Sequence, residues 1–569
     1  QGHPYIAGFF TSAMIDFHDR NVMSIDGFDW LHRTMASPPH APSTDLCTNA
    51  PARPFLYEGV FAHEYQHLIH HDYDADEVNW VNEGMSDLAI FLNGYGNPSK
   101  HIDQEGNDSH TLSYQGWTSV QHPDWNPIPK PNGPENSLTQ WGDQGDDQIL
   151  EDYGFAYSFM QYLYDHGYGQ AFFEAWQHNE LNGIDGLNDT LTAFNSHDTF
   201  ASLFQNMTIS TLTDAYIDAG AKVIDPSFGS TSSKNKHHGD DGSAAEALSS
   251  SSLNSTVYFS PEAYNTPGAP PWGGDYIPLG AGNKLKSLSF NGDDQFVFPG
   301  GNDWTIDSDG YMTSPDEAGD TVYADNTDSS VAMQVTVPDG ASTLTFDHWY
   351  QTEQTWDFGF VQVLDGDQFV SLPCTGTTTD HDPGADPNIA GNVPGYTGPT
   401  QDPSDPTTAG TPAAPLSDSC DLSAYAGQTI VIAFRLMSDG AVQFDGWHIR
   451  NVAINGTPVD STPGDISDWD NEQFFVPVPL GFSLTLVGLD GKVNQFGYVS
   501  HADDVVVVRT HLGAGSTYTL TKADEKLLHH SDKVVAIVEG VPQEENVNVY
   551  FPYSLKVNGK QMADGAGIH

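Results

Sequence analysis

The patterning of the chain changes character near residue 229, and this break limits it to a multidomain fold of two kinds. Before the break, apolar residues recur at helical spacing over residues 57–71, 80–92, 153–166 and 199–218. After it, short alternating runs lie between Gly, Asp, Pro and Asn clusters, the texture of β-sandwiches. Leu344-Thr345-Phe346-Asp347-His348-Trp349-Tyr350 and Thr429-Ile430-Val431-Ile432-Ala433-Phe434 are two such runs, and Phe360-Val361-Gln362-Val363-Leu364 is a third. Val505-Val506-Val507-Val508 and Val534-Val535-Ala536-Ile537-Val538 mark a last β region. A chain of 569 residues exceeds what one hydrophobic core organises. The expected division is a helix-rich domain over 1–228, a flexible linker or loop over 229–255 and a β segment over 256–284. A β-sandwich over 285–457 and a C-terminal β domain over 458–569 follow, and the 256–284 segment is a candidate to complete the latter.

Charge excludes some partners. The chain carries 77 acidic residues against 19 Lys plus Arg, a formal net charge of −58. Such a polyanion repels nucleic acid and anionic lipid. The acidic residues are spread along the whole chain, which suits adaptation to salt and says more about habitat than mechanism. No run of 18 apolar residues offers a membrane span. No signal peptide is visible, and the opening at Gln1, with strand-like Tyr5-Ile6-Ala7-Gly8-Phe9-Phe10 close behind, reads as a processed or trimmed form. Of three cysteines, Cys374 and Cys420 flank a Pro/Gly/Thr/Asp-rich stretch and are a disulfide candidate that leaves Cys47 free; three unpaired thiols are the alternative.

The chemistry concentrates in Phe61-Ala62-His63-Glu64-Tyr65-Gln66-His67. Two histidines four apart share one helical face, so both imidazoles can reach one ion. Glu64, beside the first, can reach a metal-bound water without binding the metal. After an acidic turn comes Trp80-Val81-Asn82-Glu83-Gly84-Met85-Ser86-Asp87. Glu83 on a second helix is the candidate third ligand. Asp87, one turn on, is placed to accept a hydrogen bond from the outer nitrogen of a ligand histidine. Two histidines, one glutamate and one open position make a catalytic type of zinc site. The alternatives are core histidines, a helix-face carboxylate at Glu83 and a surface residue at Asp87. His70 and His71 read as solvated residues at a helix C-terminus rather than ligands.

The pattern His63-Glu-x-x-His67 with Asn82-Glu83-x-x-Ser86-Asp87 resembles the gluzincin metallopeptidases, the group containing thermolysin, and the hyicolysin-like enzymes in particular. The resemblance implies an α+β gluzincin-like catalytic domain with zinc on His63, His67 and Glu83, Glu64 as general base and Asp87 behind a ligand histidine. The gap of 83 − 67 = 16 positions is shorter than in thermolysin, so the connection must be tighter. Gluzincins usually supply a Tyr or His to the oxyanion from a downstream helix. Tyr153 is the first candidate here and Tyr157 the second, with core packing of both as the alternative. The run Asn21-Val22-Met23-Ser24-Ile25-Asp26 is a candidate edge strand for substrate.

A second resemblance covers about 285–457. Trp349-Tyr350-x-x-Glu353-x-x-Trp356-Asp357-Phe358-Gly359, Asp421-Leu422-Ser423-Ala424-Tyr425 and Asp445-Gly446-Trp447-His448 look like the jelly-roll β-sandwich of immune inhibitor A-type secreted peptidases. Asp-rich loops near Asp445 are a candidate for structural calcium, solvated acidic turns being the alternative. Together the features point to a secreted zinc endopeptidase acting on protein or peptide substrates. An extracellular adhesion or binding protein with a silent metal domain, and a zinc hydrolase of a non-peptide bond, are the other readings. Oligomeric state is not legible.

Overall fold

The computed structural model describes residues 7–11, 20–25, 55–75, 77–104, 107–117, 133–141, 149–227, 244–259, 268–292, 304–316, 322–323, 327–365, 368–382, 385, 387–400, 416–439, 442–459, 466–470, 481–513, 515–542 and 551–562. The chain divides into two compact units, one of Gln1–Phe296 with Pro479–His569 and one of Val297–Val478. Helices and several β-sheets make it a multidomain α+β protein.

The first unit opens with an antiparallel pair, β1 (Gly8–Phe10) and β2 (Met23–Ile25). Among the described residues seven helices follow before the next strand: α1 (Leu56–Tyr73), α2 (Asn79–Leu92), α3 (Ser109–Tyr114), α4 (Ile149–Asp165), α5 (Gln170–Gln177), α6 (Gly183–Ala193) and α7 (Phe200–Asp218). The strands after them are β3 (Lys222–Ile224), β4 (Gly274–Gly280), β5 (Leu288–Gly292), β6 (Thr305–Ile306), β7 (Met312–Thr313), β8 (Asp328–Thr336), β9 (Thr343–Gln351), β10 (Phe358–Asp365) and β11 (Gln368–Ser371). Then come β12 (Leu416–Asp421), β13 (Thr429–Met437), β14 (Gly446–Ile454), β15 (Thr457–Pro458), β16 (Gly481–Val493), β17 (Val499–Leu512), β18 (Thr517–Thr519), β19 (Lys533–Val541), β20 (Tyr553–Val557) and β21 (Lys560–Gln561).

The helical core gathers Trp80, Met85, Phe155, Phe159, Met160, Trp176, Phe200 and Phe204. Trp80, near the start of α2, is 1% exposed and meets the rings of Phe159, Trp176 and Phe200 at 5.8, 5.9 and 5.8 Å. Burying so large a ring at this point fixes the rotation of α2, and so of Glu83 one turn on.

Helix α7 is buried nearly all round because its other face lies on a sheet ordered β3-β17-β16-β19-β4. Ile209, Leu212 and Tyr216 share a core with Val487, Val505, Val507, Val535 and Ile537. Its buried hydroxyls are satisfied: Thr211 donates to the Met207 carbonyl at 3.1 Å and Thr213 to that of Leu248 at 2.8 Å. Strand β3 pairs in parallel with β17, and β4 pairs antiparallel with β19. Arg509 on β17 donates to Asp225 at 2.9 Å and to Asn206 at 2.8 Å. A second sheet, β18-β5-β20-β21, completes this unit.

Of the stretch expected as linker or loop, residues 229–243 lie outside the described residues. Its later part is anchored: Leu248 and Leu253 are buried. Asp214 on α7 accepts the N–H groups of Ser250 at 2.9 Å and Ser255 at 2.8 Å. Burial pushes the Asp214 carboxyl up to about 8, against the pull of those two donors. An ordinary Asp titrates near ~3.9, so between these values the folded chain holds a proton that the unfolded chain has released. Stability contributed by this group is therefore full at low pH and lost as pH rises toward 8, by up to about 1.4 kcal/mol per unit. Urea midpoints from pH 5 to 8 should fall less steeply in Asp214→Asn than in the parent; parallel slopes would exclude the linkage.

The second unit is a β-sandwich. One sheet runs β11-β10-β13-β8 and the other β12-β9-β14-β7-β6, with β15 paired to β14. Alternation sends Leu344 and Phe346 of β9 and Trp447 and Ile449 of β14 inward, against Val361, Val363, Ile432 and Phe434 of the facing sheet. A disulfide joins Cys374 to Cys420 on β12. Cys47 lies outside the described residues. Asp445 is half-buried and belongs to neither of the two His/Cys/Asp/Glu groupings that could hold an ion among the described residues.

Candidate metal centre

On α1, His63, His67 and His70 are spaced four and three apart, so they form one stripe along the helix, and Asp74 follows directly after its end. Helix α2 returns after a connection of only residues 74–78 and brings Glu83 against the first two. The Nε2 atoms of His63 and His67 stand 2.9 Å apart. Glu83 Oε2 lies 3.1 Å from the first and 3.2 Å from the second. Ligand atoms held ~2.0–2.1 Å from a tetrahedral zinc are about 3.3 Å apart, close to this triangle.

The outer ring nitrogens settle what these three atoms are. His63 Nδ1 lies 2.8 Å from Asp87 Oδ1, and a carboxylate only accepts, so this nitrogen carries the proton. His67 Nδ1 donates to Asn82 Oδ1 at 2.5 Å and lies 3.1 Å from Ser86 Oγ, whose own proton goes to the Asn82 carbonyl at 2.9 Å. In the neutral rings both Nε2 atoms then present lone pairs toward Glu83 Oε2, which is itself buried. Three lone pairs at such distances call for a cation. Burial opposes charge on His63, but hydrogen bonds and charge from Asp87 and Glu83 hold it well above the usual imidazole range. Burial likewise opposes ionisation of Glu83, yet His67 and His63 hold its carboxyl well below the ordinary range. The donor set of two imidazoles and a carboxylate suits zinc.

Asp87, 3% exposed, does more than orient His63. Its second oxygen accepts from His110 Nδ1 at 2.8 Å. Against the penalty of burial, His110 and then His63 hold the Asp87 carboxyl down to about 2. Asp87 raises His110 in return, outweighing burial. The sequence pattern gave no sign of His110, which sits on a six-residue helix too short to show periodicity. That helix is capped by Asp108, whose carboxylate accepts the Thr111 N–H at 2.8 Å. Gly154 on α4 explains how α3 comes so close: a Cβ there would lie 2.0 Å from the His110 carbonyl oxygen. Gly154→Ala should therefore push α3 away and weaken zinc retention, measured by chelator competition; unchanged retention would separate His110 from the centre.

Glu64 is 4% exposed, and burial raises its carboxyl above the ordinary range, His63 and His67 opposing. Strand β1 lies against it: a Cβ on Gly8 would sit 2.6 Å from Val60 Cγ1 and 3.1 Å from Glu64 Oε1. Strand β2, within the expected edge segment, pairs with β1 beside this helix. Tyr153 is half-buried, its ring 6.2 Å from that of His63 and 4.9 Å from that of His110. Tyr157 lies in the helical core, its hydroxyl donated to Gln161 of its own helix at 3.4 Å.

The expectation that His70 is solvated is corrected. Helix α1 continues to Tyr73, which keeps His70 on the inward stripe, where it is fully buried at 0% exposure. His71 is partly exposed.

No family model matches the chain. Over 148 residues it is 28% identical to the pre-pro-metalloprotease PrtV of Vibrio cholerae serotype O1, in strain M66-2 and in strain ATCC 39315 / El Tor Inaba N16961. The matched stretch is 25% of this chain and only 14% of that relative. The similarity is distant. It points to a metallopeptidase-related family, hints at peptidase function and suggests a metal cofactor. Among the described residues no helix is long and apolar enough to cross a membrane.

Proposed function

We propose that this chain is a secreted zinc-dependent endopeptidase of gluzincin type, with His63, His67 and Glu83 holding the ion. The observation that carries this reading is the convergence of three lone-pair atoms within 3.2 Å of one another, with the outer nitrogens of both imidazoles already committed. The distant likeness to a metalloprotease supports it. When bound, zinc supplies Lewis acidity toward the attacking water and the scissile carbonyl. Glu64, adjacent to the centre and protected from bulk solvent, takes the proton from that water and passes it to the leaving amine. Tyr153, whose ring lies beside those of His63 and His110, donates to the oxygen that gains charge. Asp87 fixes the tautomer of His63 and is itself held by His110. The β-sandwich of the second unit, which resembles that of immune inhibitor A-type peptidases, serves as an accessory module.

Casein digestion with and without a chelator tests the proposal. Cleavage that stops on chelation and returns with zinc is the expected result. Zinc binding without cleavage of casein or a peptide library would instead support a silent binding protein or a hydrolase of another bond. His110→Ala should lower kcat/KM or zinc affinity by about 10- to 100-fold, the usual cost of losing a partner behind a ligand. Tyr153→Phe should lower kcat with little effect on zinc content.

A further inference from the structure

We propose a second metal site at the far end of α1, formed by His70, Asp74 and Glu77 and taking a divalent transition-metal ion. One ligand atom from each of the three lies within 4.8 Å of those of the other two. All three residues are buried, at 0%, 7% and 7% exposure. His70 is the observation that points to a ligand. Neither of its ring nitrogens has a hydrogen-bond partner, although the residue is fully enclosed. An imidazole offers both a donor and an acceptor, and burying both unsatisfied is costly. A cation bound at one nitrogen turns that orphaned lone pair into a ligand.

The neighbouring residues are built to hold such an ion. Asp74 follows the last turn of α1, and its N–H closes that turn on the His70 carbonyl at 2.8 Å. Glu77 is fixed from two sides: its Oε1 accepts the N–H of Val78 at 2.8 Å and that of Gly183, at the start of α6, also at 2.8 Å. One nitrogen and two carboxylate oxygens favour zinc or a similar first-row ion over calcium, which prefers oxygen alone. Bound there, the ion ties the end of α1 to Glu77, two residues before α2. That junction sets the register at which Glu83 meets His63 and His67. The site does not depend on the catalytic assignment, since it shares no ligand with it.

Zinc stoichiometry of the full chain tests this. After loading with Zn²⁺ and dialysis against metal-free buffer, the parent should retain two equivalents by elemental analysis and His70→Ala one. Glu77→Gln, which keeps an acceptor for Val78 and Gly183, should also retain one; it serves where the histidine variant folds poorly by circular dichroism. One equivalent in the parent, or two in both variants, overturns the proposal. Glu83→Ala in the same series isolates the catalytic reading. If it keeps as much zinc as the parent, the third catalytic ligand is wrong, whatever His70→Ala shows.

Discussion

Glu64→Gln should keep the parent's zinc content and lose casein-cleaving turnover by about 10³-fold, within the range of general acid–base catalysis. Gln matches Glu in size, so packing against β1 survives. What it cannot do is take a proton from water and return one to the amine. The buried position of Glu64 sharpens the expectation, because bulk water has poor access to substitute as base. The residual rate would come from Lewis acidity and substrate binding. Turnover within tenfold of the parent, at equal zinc content, would remove Glu64 from the mechanism. A variant that lost its zinc would be uninformative about the base, which is why both quantities are measured on one sample.

Glu83→Ala should act on the other side of the problem. It deletes the atom that completes the triangle and leaves two imidazoles from a single helix. Zinc affinity should fall by more than about 100-fold, beyond the loss seen for partners behind a ligand. Activity should fall with it and recover in part as free zinc is raised. Chelator competition on the parent and variant gives the two affinities directly. The contrast with Glu64→Gln is the decisive comparison: one variant loses turnover with its ion in place, the other loses the ion first. Equal affinity in parent and Glu83→Ala would mean that the third ligand lies elsewhere.

Much of this was legible in the residues. The four helices expected from periodicity occur at α1, α2, α4 and α7, each long enough for its apolar residues to recur over several turns. Strands β9, β10, β13, β17 and β19 fall where the alternating or β-branched runs stand. Helices α3, α5 and α6 were not expected. At six, eight and eleven residues they are short, and their place is fixed by packing partners rather than by pattern. His110 was hidden for the same reason. Its value comes from Gly154, over forty positions away, which lets α3 lie against α4. His70 was misread on local grounds, as a charge near a helix end. Its spacing from His67 and Asp74 carried the inward orientation all along. Tyr157 shows the opposite limit. Its aromatic neighbourhood could not separate a core ring from a catalytic one, whereas its contact with Gln161 gives it a structural place.

The way α7 rests on the sheet of β16, β17 and β19 has a consequence for biosynthesis. Tyr276 donates to the Thr208 carbonyl at 2.6 Å, Gln205 to Ser483 at 2.5 Å, and Thr208 to Glu539. The apolar underside of α7 therefore finds its cover only after residue 541 has been translated, more than 450 codons beyond α1. A ribosome carrying the earlier residues holds a scaffold with one side open to water. Premature termination within the intervening β-sandwich would yield a nascent chain that chaperones and cellular proteases recognise, rather than an active hydrolase loose at its site of manufacture.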